Sequence, residues 1–184
     1  GLGSITIATD SSLTQKALAA AITLDVSGNV DNGAGATGGA FTLSSGDALA
    51  TLTGTDGGAV TLATVSGNTN VSTLTITTGA GANDVTAGQA GNVGGAITNA
   101  VFTGTVDATT IAISSGAGAA GDTNVNTLNT GGNGGAITAA TFTGLVTGNV
   151  TVTSGAGGAG GDGGAIIGAD GGTGGAVTLT DFGA

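Results

Sequence analysis

Short runs in which apolar residues alternate with Thr or Ser recur along the chain, separated by glycine-rich stretches. Leu74-Thr-Ile-Thr-Thr-Gly79, Ile111-Ala-Ile-Ser-Ser-Gly116 and Val150-Thr-Val-Thr-Ser-Gly155 are three of them. A period of two puts the apolar set on one face and the hydroxyls on the other, which predicts half-buried β-strands. A second kind of run opens with Gly-Gly-Ala-(Ile/Val/Phe), at Gly38, Gly57, Gly94, Gly134, Gly163 and Gly174, with Ala19-Ala20-Ala21-Ile22 as a degenerate earlier copy. The starts at 19, 38, 57, 94, 134 and 174 fall on multiples of about 19–20 residues, and Gly163 lies off that grid, as a further strand within a coil. In the longer unit Phe stands eight residues after the first glycine, at Phe102, Phe142 and Phe182, and Val65 holds that place in the copy from Gly57.

A fixed period of this size predicts an all-β solenoid of the parallel β-helix kind, built from repeats of about 19–20 residues. Glycine pairs at the corners permit positive φ and close stacking of successive coils. Ile, Val, Leu and Phe point inward onto their equivalents, and Thr faces outward, where β-branching suits a strand. The alternative is an antiparallel β-sandwich or jelly roll with glycine-rich loops. Residues 1–184 read as one domain, with an atypical segment over 1–37 and the repeats over 38–184. Within the first segment, Asp10 to Ala21 offers an N-cap, a Ser12-x-x-Gln15 capping box and good helix formers, which predicts a short helix over 11–21.

Composition narrows the chemistry. The 184 residues include 41 Gly and four Phe but no Tyr, Trp, Pro, Cys, Met or His, and eleven Asp face a single base, Lys16, for a net charge of −10. Without His or Cys there is no zinc or copper site of the usual kind, no thiol nucleophile and no histidine base. One cation and so few aromatic rings leave nothing to neutralise phosphate or stack on bases, so nucleic acid is not an expected partner. Only Asp remains for acid–base work, no Asp-(Thr/Ser)-Gly signature occurs, and an enzyme is not expected. No run of 18 apolar residues exists, so no transmembrane helix is expected. The chain starts at Gly1 and has no methionine, which fits a mature chain left by signal cleavage; the absence of sulfur suits a protein exported in bulk.

Several motifs carry two readings. G-x-G-x-x-G occurs at Gly33–Gly38, Gly116–Gly121 and Gly155–Gly160, but it recurs in phase with the repeat and opens no helix-forming segment, so it reads as a solenoid corner, not a nucleotide site. Asp84, Asp122 and Asp162 follow equivalent turns of three long units. Stacked carboxylates repel, and calcium would relieve this through carboxylate and backbone oxygens. The competing reading is a set of solvated turn residues. Gly157-Gly-Ala-Gly-Gly-Asp162 approaches a calcium-binding nonapeptide, but Gly164 stands where a large apolar residue belongs. Thr-x-Thr at Thr51/Thr53, Thr73/Thr75/Thr77, Thr151/Thr153 and Thr178/Thr180 reads as an ordinary exposed strand face or as the regular array of an ice-binding surface. Asn70-Val71-Ser72 and Asn149-Val150-Thr151 fit the glycosylation sequon.

The GGA(I/V) repeats with downstream Phe and Gly/Asn-rich turns resemble the passenger repeats of autotransporter-type surface proteins, above all the polymorphic membrane proteins with their GGA(I/L/V) and FxxN motifs. The first motif is present; the second is not, since Phe102, Phe142 and Phe182 are followed by Thr-Gly, Thr-Gly and Gly-Ala. The resemblance covers about residues 38 to 184 and implies a secreted β-helical surface protein. No translocator barrel follows in this sequence, so an independently secreted subunit is expected.

The expected role is a structural subunit of an extracellular filament, sheath or surface layer, a homopolymer at the cell surface. Residues 174 to 184 form the first half of a unit and residues 1 to 9 read as the strand that would complete it. Head-to-tail pairing would then join Leu2, Ile5 and Ile7 of one copy to Val177, Leu179 and Phe182 of the next. The alternative is a secreted monomeric solenoid, an adhesin with a cell-surface or polysaccharide contact or an ice-binding module.

Overall fold

The computed structural model describes residues 5–6, 12–17, 21–31, 38–48, 55–83, 89–122, 129–161 and 168–182. These form twelve strands: β1 (Ile5–Thr6), β2 (Ser12–Ala17), β3 (Ile22–Val26), β4 (Val30–Asp31), β5 (Gly38–Ser45), β6 (Val60–Val65), β7 (Thr69–Thr77), β8 (Ala100–Phe102), β9 (Val106–Ser114), β10 (Ile137–Phe142), β11 (Val146–Thr153) and β12 (Val177–Phe182). Every strand pairing is parallel. The antiparallel sandwich is therefore ruled out, and the fold is a β-solenoid.

The chain winds between two sheets. One stacks β3, β6, β8, β10 and β12 in that order; the other stacks β2, β5, β7, β9 and β11, with β1 and β4 beside the start of β7. A full circuit takes 37 to 40 residues, as the bonds from Thr103 back to Ser66 and from Thr143 back to Thr103 measure. The 19–20-residue period of the sequence is thus half a circuit. Gly57, Gly94, Gly134 and Gly174 all lead into the first sheet, whereas Gly38 belongs to β5 in the second and pairs with Val71. The motif marks a glycine-rich entry to a strand in either half, so it does not say which half.

The core positions stay aligned from layer to layer, across register shifts after Ile22, Thr138 and Thr147. Val26, Val65, Phe102, Phe142 and Phe182 are successive partners across the first sheet. Leu13, Phe41, Leu74, Ile111 and Val150 do the same across the second. Between the sheets, Val26, Val65, Phe102, Phe142, Phe41, Leu74 and Ile111 are buried to 1% exposure or less, forming one continuous core. The phase assigned to Phe102, Phe142, Phe182 and Val65 from the sequence is the observed one.

The expected helix over 11–21 is replaced by strand β2, which pairs residue for residue with Ala40–Ser45; no helix occurs among the described residues. Ser12-Leu13-Thr14-Gln15-Lys16-Ala17 carries local helix signals, but a short isolated helix is marginal and the edge of β5 offers main-chain bonds that it cannot match.

The glycine-rich segments are not corners but a second structural layer. Residues 79–83, 116–122 and 155–161 run opposite to residues 89–95, 129–135 and 168–175. Gly116, Ala119 and Asp122 donate to the carbonyls of Gly95, Asn92 and Gln89, while Ser115, Gly118 and Gly121 donate to Thr153, Ala156 and Ala159 of the next layer. Each run therefore bonds on two sides with a three-residue period, the repeat of polyproline II backbone, which has no internal bonds of its own. At the junction with the strands, one thread of amides climbs the molecule: Gly58 donates to Gly46, Gly79 to Gly58, Gly95 to Gly79, Gly116 to Gly95, Gly135 to Gly116, Gly155 to Gly135 and Gly175 to Gly155. A Cβ on Gly95, Gly116 or Gly135 would be driven into the carbonyl oxygen of Gly58, Gly79 or Gly95. Close approach, not positive φ, explains these glycines; among the described residues Gly148 is the one glycine with positive φ, at 130°.

Candidate functional site

The entries to the first sheet carry a large apolar residue, buried in every layer but the last, and send a threonine to the outside. Ile22, Val60, Ile97, Ile137 and Val177 are followed by Thr23, Thr61, Thr98, Thr138 and Thr178, and all five threonines are exposed. They follow one another up the outer face of the first sheet, Thr138 in direct register with Thr178, Thr98 just before β8, and Thr23 shifted by a bulge so that its backbone partner is Leu62. The Thr23 and Thr61 hydroxyls lie 3.4 Å apart, Thr61 donates to the Ile22 carbonyl at 3.4 Å and Thr98 to the Thr61 carbonyl at 3.1 Å. A second hydroxyl column, Ser27, Ser66, Thr103 and Thr143, follows the far end of the same strands; Thr103 donates to Ser66 at 3.0 Å and Thr143 to Thr103 at 3.3 Å. Between the columns, Asp25, Thr64, Val101, Thr141 and Asp181 fall in register.

The second sheet carries its own rows: Thr42, Thr75, Ala112 and Thr151, then Ser44, Thr77, Ser114 and Thr153. These include Thr75, Thr77, Thr151 and Thr153 from the Thr-x-Thr pattern; Thr51 and Thr53 lie outside the described residues. The column on the first sheet was missed apart from Thr178. Its signal was the residue after the GGA(I/V) copies at Gly57, Gly94, Gly134 and Gly174, which is Thr61, Thr98, Thr138 and Thr178; after the copy at Gly163 it is Ile167.

A third set of hydroxyls is buried. Ser45, Thr78 and Ser115 donate to the carbonyls of Gly58, Gly95 and Gly135, each at 2.5 Å, and accept from the amides of Gly79, Gly116 and Gly155 at 3.2, 2.9 and 2.9 Å. They pin the strands to the glycine layer. Elsewhere side-chain oxygens cap the next layer's backbone. Asn29 accepts from the Asn68 amide, Asn68 from Thr105, Asp56 from Val93, Asn133 from Thr173 and Asp47 from Ala80. Asp47 and Asp56 are thus committed to structure.

Of the proposed calcium ligands, Asp84 and Asp162 lie outside the described residues. Asp122 is half-buried at the end of its glycine run, with its carbonyl 3.3 Å from the Asn129 side-chain nitrogen that donates to it. Among the described residues no three His, Cys, Asp or Glu side chains are placed to hold a metal. The G-x-G-x-x-G segments at 116–121 and 155–160 lie within the glycine layer; Gly116, Gly118 and Gly121 donate their amides to neighbouring carbonyls, so no phosphate cradle is formed there. Gly33 lies outside the described residues. A shallow groove of about 340 Å³ crosses the outer surface of the glycine layer past Val93, Asn133 and Thr173, and no ionisable side chain lines it.

Of the expected joint, Ile5 sits in β1 and pairs with Val30 of its own chain, and Leu2 and Ile7 lie outside the described residues. Val177, Leu179 and Phe182 use one edge of β12 to pair with Ile137, Ala140 and Phe142. Of the sequons, Asn70 is half-buried and Asn149 exposed.

No family model, curated protein or solved structure matches this chain. The likeness to autotransporter passengers thus remains one of motif. No helix among the described residues is long and apolar enough to cross a membrane.

Proposed function

We propose that the chain is a non-catalytic structural subunit that stacks on its own copies to build an extracellular filament, sheath or surface layer. One observation carries this reading. Val150 and Val177 stand in register with Ile111 and Ile137, which are 0% exposed, yet they are themselves 38% and 43% exposed. Their layer is packed on one side only, and among the described residues the outer edges of β11 and β12 have no strand. A further layer would bury both valines and satisfy both edges.

The two sheets set how a second copy would fit. β1, β2 and β3 are the outermost strands at the opposite end, and they run parallel to β11 and β12. A copy translated along the axis brings β2 onto β11 and β3 onto β12 with the polarity of every internal pair. The joint then takes in β1 with Ile5, from the expected strand over residues 1–9, together with β2 and β3. Repeated translation does not close, so it yields a filament. Strand addition of this kind takes affinity from the main chain and specificity from alternate side chains.

Negative-stain microscopy and sedimentation of the intact chain test the reading. Filaments or concentration-dependent oligomers are expected, and Val150→Asp with Val177→Asp should abolish them while leaving a folded monomer, because both positions are already exposed. An intact chain that stays monomeric at high concentration overturns the proposal.

A further inference from the structure

We propose that the outer face of the first sheet, with the column Thr23, Thr61, Thr98, Thr138 and Thr178 at its centre, binds the surface of crystalline water. The inference is independent of whether copies stack, since it uses the side of the solenoid and not its end.

The face has the features such a ligand needs and lacks those that other ligands need. Ice presents a repeating, uncharged array of oxygens, so its partner must repeat too. Parallel strands are about 4.8 Å apart, close to the oxygen repeat along the a axis of hexagonal ice, and each of five successive layers carries one threonine, in direct register between Thr138 and Thr178 and offset by a bulge at Thr23. A second hydroxyl column, Ser27, Ser66, Thr103 and Thr143, runs beside it. The threonines carry a methyl beside each hydroxyl, so the face is apolar enough to order water and polar enough to bond to it.

The hydroxyls are also held in place. Thr61, Thr98, Thr103 and Thr143 each donate a proton to a carbonyl of the preceding layer. A hydroxyl that has spent its proton this way keeps acceptor capacity for an outside donor. Fixing its rotamer in advance removes part of the ordering cost of binding. No charged residue interrupts the three middle strands: Thr64, Val101 and Thr141 lie between the columns, and Asp25 and Asp181 fall only on the first and last.

A sugar polymer fits less well. The chain has no Trp or Tyr, and Phe41, Phe102 and Phe142 are buried, so none of these three rings is offered for a pyranose to stack on. A polyanion would meet a chain of net charge −10.

The test is partition of the intact chain into slowly growing ice, with crystal shape and freezing-point hysteresis read on the same sample. The intact chain should enter the ice and facet the crystals. Thr98→Tyr with Thr138→Tyr should be excluded like an inert protein, whereas Thr75→Tyr with Thr151→Tyr, on the other sheet, should still enter. Circular dichroism and melting verify each fold. If the tyrosine pair on the first sheet does not fold, Thr98→Lys places a solvated charge on the same column and is read instead. Exclusion of the intact chain from ice overturns the proposal. So does equal loss in both tyrosine pairs, or loss of binding to insoluble glucan or chitin, in place of ice, when Thr98 and Thr138 are changed.

Discussion

The ring of Phe142 lies on that of Phe102, with centroids 5.1 Å apart and planes 7° from parallel. The two residues are backbone partners in adjacent layers, so the stack follows directly from register. Both are buried to 1% or less. Phe142→Ala should therefore destabilise the fold by roughly 3–5 kcal/mol, the usual range for a buried phenylalanine. Chemical denaturation of the purified variant measures this. A cost near zero would mean that the column is not a packed core.

Thr69 occupies the same column as Val30 and Val106, is 1% exposed, and its hydroxyl has no hydrogen-bond partner. Thr69→Val keeps the shape and removes the unsatisfied group. A gain of about 1 kcal/mol is expected, which for a chain of this size raises the melting temperature by roughly 2–4 °C. Differential scanning calorimetry decides it; a loss of stability would show that the hydroxyl is satisfied in solution.

Thr78 joins the strands to the glycine layer, giving its proton to Gly95 and receiving the amide of Gly116. Thr78→Val removes two buried hydrogen bonds but leaves the Gly116 amide bonded to the Gly95 carbonyl, and should cost about 1 kcal/mol. Thr78→Ser retains the oxygen and should recover most of that loss. Equal melting of the two variants would make the hydroxyl a bystander.

Gly116 has no room for a methyl group, because the Gly79 carbonyl of the layer before lies where the Cβ would stand. Gly116→Ala should cost at least the upper end of the ~1–3 kcal/mol typical of overpacking, with loss of amide protection in residues 79–83 and 89–122 by hydrogen exchange. Gly171→Ala, where the nearest neighbour is the Gly158 carbonyl at 3.2 Å, should be tolerated far better.

Much of the strand half was legible because its code is local. Alternation in Leu74–Thr77 and Ile111–Ser114 names the inward face, and Phe102, Phe142 and Phe182 fix the register. The glycine layer was not legible in this way. Its bonds join Gly116 to Gly95 and Gly118 to Ala156, and glycine carries no side-chain pattern to reveal a period of three. The segment Ser12–Ala17 failed for a different reason: its local helix signals were real, but the strand was specified by the edge of β5. The threonine column was visible in principle after the GGA(I/V) copies at Gly57, Gly94, Gly134 and Gly174. It was overlooked because its members stand one per circuit, whereas the Thr-x-Thr pattern draws attention along a single strand.

The near identity of successive circuits has a bearing on how such a molecule can change size. Gly94 to Gly104 and Gly134 to Gly144 read GGAITNAVFTG and GGAITAATFTG, and each circuit meets only the one before and the one after. Duplicating a stretch such as residues 94–133 would insert one more circuit without altering any existing contact type, lengthening the rod by a single strand spacing of about 4.8 Å. Length is therefore a counted quantity in this architecture. A tandem duplication or deletion of one circuit adjusts it in whole steps, and each step adds or removes one threonine from the exposed column.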